Sequence, residues 1–282
     1  MFPIVMTVLC STSIALILKW NNTLKASEIY LLMGNYLTAA FLSFLFWNKD
    51  GITSFSWQTL VFGIFIGGLF VYAFFAFTKA VAAAGAALAT VSARLSVAIP
   101  VLLSIIVFKE LPNNLQITGF AFVLLTLFLF YFSLQNGNKH SIHWLDLFYL
   151  FALWLGIGLN DFSLKIFQAW RGTGEKSFFL LVIFLSALIY TLLVIRLRRL
   201  PFDRVAFSMG LFLGVPNMFS TFFLLGALSA LPAVVVYPTV NLGIILLTAF
   251  ASYIIWREKL NMAGWLALLS GSLAIVLLNL KT

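Results

Sequence analysis

A stretch of 52 residues, 205–256, contains no charged side chain. A membrane-spanning helix needs about 20 mainly apolar residues, so this stretch is long enough for two crossings. Leu231-Pro232 supplies the break, because proline is tolerated in the first turn of a helix. The remaining apolar runs lead us to predict ten membrane-spanning helices in all. The predicted spans are 3–19, 28–47, 57–79, 84–107, 114–134, 144–168, 177–196, 205–228, 232–256 and 261–280.

The composition excludes most other classes of protein. Hydrophobic residues make up 63% of the 282 residues and charged residues 9%, against roughly 45–50% and 25% in soluble domains. Too few polar side chains remain to cover a soluble protein, which excludes a soluble enzyme, a disordered chain and a nucleic-acid-binding domain. The net charge is +9, and the basic residues lie mainly between the apolar runs. We therefore expect them to contact membrane lipids, and we expect no nucleic-acid partner. The spans are too long for barrel strands, so the predicted fold is an all-α integral membrane protein.

The two halves of the chain, 1–136 and 137–282, share a weak internal similarity. The matched positions, at offsets of 147 or 148 residues, are Gly63 with Gly210, Gly67 with Gly214, Lys109-Glu110 with Arg257-Glu258, and Asn113 with Asn261. Each half holds five predicted spans, and an odd number inverts the second half relative to the first. The sequence therefore predicts a 5+5 inverted-topology repeat, which is typical of secondary transporters with a substrate site near the membrane midplane.

Arg94 is the strongest candidate for a binding residue. It lies near the centre of the fourth predicted span, where an arginine costs about 2.5–3.5 kcal/mol and usually faces a cavity or a partner. Its guanidinium, with five donors, suits a carboxylate or phosphate. The offset of 147 residues places Asn241 of the ninth span at the matching position. We predict that Arg94 binds an anionic group with Asn241 beside it, although a purely structural arginine remains the alternative.

Asp161 and Lys165 are the candidates for ion coupling. Their i, i+4 spacing in the sixth span puts them on one helix face. Asp161 could couple transport to protons or partner Arg94, or the two residues could form a structural pair near the membrane boundary. Further polar residues within the spans could contact substrate or hold helices together. These are Asn35, Tyr72, Asn160, Asn217 and Tyr237. We also expect Pro216 and Pro238 to kink or interrupt their helices.

Short motifs at equivalent places in the two halves carry a resemblance to a known family. Pro100 is followed ten residues later by Glu110 and then by Leu-Pro-Asn-Asn-Leu-Gln-Ile-Thr-Gly at 111–119, and the second half has Trp-Arg-Glu-Lys-Leu-Asn at 256–261. The chain resembles the ten-helix, EamA-like members of the drug/metabolite transporter superfamily. The resemblance implies transport of a small molecule through a cavity lined by both halves, in a bacterial inner membrane. The second half departs from the pattern, with Thr248 at the position that matches Pro100.

These observations together predict a secondary active transporter. We expect it to export a small polar or anionic metabolite by alternating access, coupled to protons, with no cofactor, no metal and no enzymatic activity. Its expected partners are the small-molecule substrate, membrane lipids and a second copy of the chain in a homodimer. A multidrug exporter for lipophilic cations and a lipid-phosphate flippase remain alternatives. A membrane enzyme would need an acid–base or metal constellation, and a channel would need rings of polar residues along several spans.

The orientation in the membrane is left open by two conflicting signals. Ten of the basic residues that flank the spans fall on one face and six on the other. The positive-inside rule then places both termini outside the cytoplasm, whereas the family resemblance places both inside. Much of the bias comes from one cluster of arginines at 196–204.

Overall fold

The computed structural model describes residues 1–24, 27–49, 55–134, 143–171, 174–257 and 261–280, and within these ranges its regular structure is entirely helical. It has eleven helices. They are α1 (Phe2–Thr23), α2 (Glu28–Lys49), α3 (Trp57–Ala84), α4 (Ala86–Leu95), α5 (Ala98–Phe108), α6 (Asn114–Leu134), α7 (Trp144–Arg171), α8 (Lys176–Arg198), α9 (Arg204–Ala230), α10 (Ala233–Trp256) and α11 (Met262–Asn279).

Ten helical segments are long and apolar enough to cross a membrane, counting α4 and α5 as one. All ten predicted segments are confirmed as helical, and no end differs by more than five residues. The helix starts follow local chemistry. The Asn113 side chain accepts a hydrogen bond from the Gln116 N–H at 2.8 Å while the Gln116 side chain accepts one from the Asn113 N–H at 2.9 Å. Asn261 caps α11 through the Gly264 N–H at 2.9 Å, and α10 begins directly after Pro232.

A single glycine separates α3 from α4. Gly85 has φ of +85°, a conformation that residues with a Cβ rarely adopt, and it turns the chain between Ala84 and Ala86. The third and fourth spans are therefore joined by one residue.

The chain divides into two compact units, each formed from two separate stretches. The first unit contains Met1–Val71 and Phe167–Ser229, and the second contains Tyr72–Ile166 and Ala230–Thr282. Each unit takes helices from both halves of the sequence, so the units are a different division from the predicted repeat. The repeat concerns sequence equivalence and stays a prediction.

The first unit contains close helix contacts at both Gly-x-x-x-Gly motifs. A Cβ added to Gly67 of α3 would lie 2.7 Å from the Ile183 carbonyl oxygen and 3.1 Å from the Ala187 nitrogen of α8. Backbone atoms this near leave no room for a side chain, so only glycine lets α3 lie against α8 at this point.

The second motif makes the same contact with a different helix. A Cβ on Gly214 of α9 would lie 2.5 Å from the Asn35 carbonyl oxygen and 3.1 Å from the Ala39 nitrogen of α2. Gly214 lies 147 residues after Gly67, and Asn35 and Ala39 lie 148 residues before the two residues that face Gly67. The offset between the glycines and the offset between the backbone atoms they touch thus agree to within one residue.

Filling the second of these contacts should destabilise the protein. Gly214→Val would push a branched side chain into the backbone of α2, and overpacking of this kind costs about 1–3 kcal/mol. The melting temperature in detergent should fall measurably. The matched control is Gly174→Val, because a Cβ at Gly174 meets no atom within 4 Å. Equal melting temperatures for the Gly214 variant and the wild type would contradict the close contact.

The second unit is built around the contact of α6 with α11. Its apolar core includes Val123 and Leu127 of α6, Leu242 of α10, and Ala274 and Leu278 of α11, each at most 5% exposed. This packing holds α10 in place, and α10 carries the predicted site residues Tyr237 and Asn241.

Candidate functional site

The fourth span is interrupted in the middle, between α4 and α5. Pro100 explains the position of the break. It has no N–H to donate to the carbonyl four residues earlier, that of Ser96, and its ring clashes with that carbonyl in a continuous helix. α10 has Thr248 at the position that matches Pro100 and continues without a break. The helices also continue through Pro216 and Pro238, so neither proline interrupts its helix.

Side chains from two other helices satisfy the carbonyl groups next to the break. Asn241 Nδ2 of α10 donates to the Arg94 carbonyl at 3.3 Å, and Trp154 Nε1 of α7 donates to the Leu95 carbonyl at 3.1 Å. The last carbonyls of a helix have no partner within the helix and are costly to bury alone. The interruption is thus supported by α7 and α10, both within the second unit.

Arg94 occupies the last turn of α4, directly before the break. Its Nη1 donates to Asn241 Oδ1 at 3.4 Å, which is long for a hydrogen bond. Among the described residues, the Arg94 side chain makes no other hydrogen bond. The side chain is partly exposed, although it belongs to a span. The predicted neighbourhood of Arg94 and Asn241 is therefore present, while the binding role stays a prediction.

Asp161 of α7 supplies a negative charge that interacts electrostatically with the Arg94 guanidinium. It is also partly exposed, and the Tyr237 hydroxyl of α10 donates to its backbone carbonyl. Next to it, the side-chain oxygen of Asn160 is buried and has no hydrogen-bond partner among the described residues. Arg94 thus has the amide of Asn241 in contact and a carboxylate near enough to interact with its charge, an arrangement that can bind an anionic or polar molecule by charge and by hydrogen bonds.

Lys165, one helical turn after Asp161, is paired with a residue that sequence reasoning did not place in the site. Its Nζ lies 2.7 Å from Glu110 Oε1, and both side chains are largely buried, at 9% and 14% exposed. Glu110 Oε2 accepts a hydrogen bond from the Val234 N–H in the first turn of α10 at 3.2 Å. Glu110 also interacts electrostatically with Tyr237. It ties α7 to the start of α10, and a lone acid directly after an apolar run could have signalled this role.

The structure divides the remaining predicted site residues between the two units. Tyr72 belongs to the second unit, and its hydroxyl lies 3.5 Å from the Ala152 carbonyl of α7, although the side chain is 46% exposed. Asn35 and Asn217 belong to the first unit and pair with each other, with Asn217 Nδ2 donating to Asn35 Oδ1 at 3.0 Å. This amide pair links α2 to α9, which is the packing role that polar side chains commonly have between membrane helices.

The support of the break by Trp154 can be tested directly. Trp154→Phe keeps an aromatic ring but removes the N–H that satisfies the Leu95 carbonyl. We expect a loss of about 1–3 kcal/mol in the free energy of unfolding, since the carbonyl is left without its partner. Trp144→Phe is the matched control, because Trp144 is 81% exposed. Equal melting temperatures for the two variants would contradict the supporting role.

Comparison with known proteins finds a bacterial relative and a solved structure with a similar fold. No protein-family model matches the sequence. An uncharacterized protein of Haemophilus influenzae is 24% identical over 283 residues, a match that covers 98% of this chain and 96% of that protein. A solved crystal structure of a protein superposes with a TM-score of 0.82 at 13% identity, covering 99% of this chain and 95% of the other. This likeness establishes that the fold also occurs in a solved structure.

Proposed function

We propose that this chain is a secondary active transporter that moves a small polar or anionic metabolite across a bacterial inner membrane. The ten helices that are long and apolar enough to cross a membrane support a multi-pass membrane protein. A bacterial relative that matches nearly the whole chain is consistent with this setting. The resemblance of the motifs around Glu110 to the drug/metabolite transporter superfamily supports the same conclusion.

The observation that carries the proposal is the interrupted fourth span with Arg94 at the break. At the break Ser96 and Val97 keep helical dihedral angles, but the Val97 N–H donates to the Arg94 carbonyl three residues earlier instead of four. Irregular backbone at membrane depth is tolerated where it is buried in protein or lines a cavity. A charged side chain there marks a functional site by default, because its burial is costly. Arg94 is partly exposed, and the hydrogen bond that its side chain makes among the described residues is long. Its guanidinium is therefore available to a carboxylate or phosphate of the substrate.

An inverted repeat would give this protein its two alternative states. The matching contacts of Gly67 with α8 and of Gly214 with α2 support such a repeat, because offsets of 147 residues for the glycines and 148 for their partners agree to within one residue. Arg94 and Asn241 are related by the same kind of offset and contact each other. In repeats of this type, alternating access arises when one structural element moves against another around a fixed site.

We propose that Asp161 couples transport to proton movement. It is a carboxylate beside Arg94 within a span, and acids in such positions are typical of proton relays. Protonation of Asp161 would remove the negative charge that competes with an anionic substrate for the Arg94 guanidinium. Lys165 would act indirectly, because its pairing with Glu110 keeps its charge engaged away from Asp161.

A ligand-stability screen tests the proposal. The wild type and Arg94→Leu are purified in detergent and melted with amino acids, nucleobases, organic acids, sugar phosphates and lipophilic cations. A ligand at a hundred times its Kd stabilises the folded state by about 2.7 kcal/mol. We expect acidic compounds to raise the melting temperature of the wild type and not of the variant. An equal response of both proteins, and to lipophilic cations only, would contradict the anionic site and favour a multidrug exporter.

Transport of the compound that the screen identifies is then measured in proteoliposomes. Uptake that depends on a pH gradient is the expected result. Movement of a labelled phospholipid between leaflets, without uptake of any soluble compound, would instead identify a lipid-phosphate flippase.

A further inference from the structure

We propose that the turn between α8 and α9 is a binding site for the headgroup of an anionic phospholipid. The turn region carries four arginines, and their side chains are all exposed. They are Arg196, Arg198, Arg199 and Arg204. Asp203 is the single acidic residue between positions 177 and 257, so this region keeps a strong positive charge.

The position of Arg204 is not explained by the helix that it begins. It is the first residue of α9, and a cation at a helix N-terminus is disfavoured by the helix dipole. The last turn of α8, in contrast, favours Arg196 and Arg198, because cations interact well with a helix C-terminus. An anion held between the two helix ends would offset the cost of Arg204 and make use of the charges on α8.

Asp203 offsets only one of the four positive charges, and its carboxylate is held in place by backbone hydrogen bonds. Its two oxygens accept hydrogen bonds from the Ser27 N–H at 2.8 Å and the Ala206 N–H at 3.0 Å. These backbone hydrogen bonds lower the pKa of Asp203, so it remains ionised as the cap of α9. Its role is to hold the turn in place.

Contacts with α2 make the turn a fixed surface. The Tyr30 hydroxyl of α2 donates to the Leu200 carbonyl at 2.8 Å, and the Tyr30 ring packs edge-on against Phe202 with the ring centres 5.2 Å apart. The arginines are therefore presented by an ordered backbone, which reduces the entropy that binding must overcome.

Exposed apolar side chains lie directly beside the arginines. Leu197 is 81% exposed, Phe202 60% and Val205 55%. Guanidinium groups next to apolar side chains at the end of two spans match a lipid, whose phosphate meets the charges while its acyl chains cover the apolar groups. A free phosphate would use only the charged part of this surface.

Phosphatidylglycerol is the probe for the experiment. The purified protein is melted in phosphatidylcholine bilayers with increasing amounts of phosphatidylglycerol. Each hydrogen bond from an arginine of the site to the lipid phosphate contributes about 1 kcal/mol. The variant Arg199→Gln/Arg204→Gln should therefore need about thirty-fold more phosphatidylglycerol for the same rise in melting temperature. Lys49→Gln/Lys109→Gln removes the same charge from exposed positions at the ends of other helices, and it should respond like the wild type.

Three results would overturn the proposal. The first is a wild type that phosphatidylglycerol does not stabilise, and the second is an equal loss in both double variants. The third is equal stabilisation by inorganic phosphate in lipid-free detergent, which would make the site specific for phosphate alone. The proposal rests on the membrane location proposed above but not on transport. A protein that inserts into bilayers and ignores phosphatidylglycerol is therefore distinguishable from one that does not insert.

Discussion

Arg94→Leu should reduce transport about a hundredfold, since losing a hydrogen bond between the guanidinium and a charged substrate group costs roughly 1.5–3 kcal/mol. The substrate anion would lose the guanidinium that we propose binds it at the break between α4 and α5. Folding should be largely retained, because leucine is far better tolerated than arginine within a span. The measurement is uptake of the substrate from the stability screen into proteoliposomes, with the melting temperature recorded beside it.

Three further variants separate binding from structure. Arg94→Lys keeps the charge but not the planar fork, so it should retain part of the activity. Arg94→Leu/Asp161→Asn removes both charges of the interacting pair, and it should fold like the wild type and remain inactive. Arg171→Leu removes a different arginine, whose Nη2 donates to Gln58 Oε1 at 2.7 Å, and it should transport normally. Normal transport by Arg94→Leu would remove Arg94 from the binding site.

Glu110→Gln should be the most destabilising of the conservative substitutions in the second unit. It leaves the Lys165 ammonium buried without its carboxylate, and breaking a buried ion pair on one side costs roughly 3–5 kcal/mol. The glutamine oxygen can still accept the hydrogen bond from Val234, so the loss comes from the charge. The melting temperature should fall clearly.

A double-mutant cycle isolates the ion pair. Lys165→Met is measured alone and together with Glu110→Gln. It removes the ammonium that has lost its carboxylate, so the double variant should recover much of the lost stability. Glu175→Gln is the comparison for a carboxylate outside this cluster, because Glu175 accepts hydrogen bonds from the Ser56 and Thr59 hydroxyls and belongs to the first unit. Strictly additive losses in the double variant would mean that Glu110 and Lys165 do not stabilise each other.

The ten segments could be predicted from the sequence because each depends on local composition. Twenty apolar residues must form a helix in a membrane, since every backbone group needs a partner. Capping residues such as Asn113 and Asn261 then set the starts to within a residue or two. The neighbourhood of Arg94 and Asn241 was also predicted from the sequence, from the internal offset of 147 residues, and the two side chains are in contact.

The break in the fourth span could not be predicted from the presence of a proline alone. Pro100 interrupts its span four residues upstream, whereas Pro216 and Pro238 lie within continuous helices. At the break the Ser96 carbonyl, which Pro100 cannot pair, accepts from the Ile99 N–H at 3.0 Å. Trp154 and Asn241 donate to the two preceding carbonyls. These long-range partners depend on how the helices pack.

The partner of Lys165 could not be read from helical spacing either. An i, i+4 pattern shows that Asp161 is within reach, but Glu110 comes from another helix end. Such pairs depend on how helices pack, and one sequence does not contain that information. Glu258, which the offset pairs with Glu110, lies outside the described residues.

Accessibility of the site from each side of the membrane tests the central claim most directly. Cys10 is the single cysteine of the chain, so Cys10→Ser gives a background in which Asn160→Cys is the one reactive group. The protein is reconstituted in proteoliposomes and treated with a membrane-impermeant maleimide from either face. Ser270→Cys, at a position 8% exposed in the contact of α6 with α11, is the unreactive control. Alternating access predicts modification of Asn160→Cys from both faces, slowed by substrate in each case. Modification from one face only, or from neither, would contradict it.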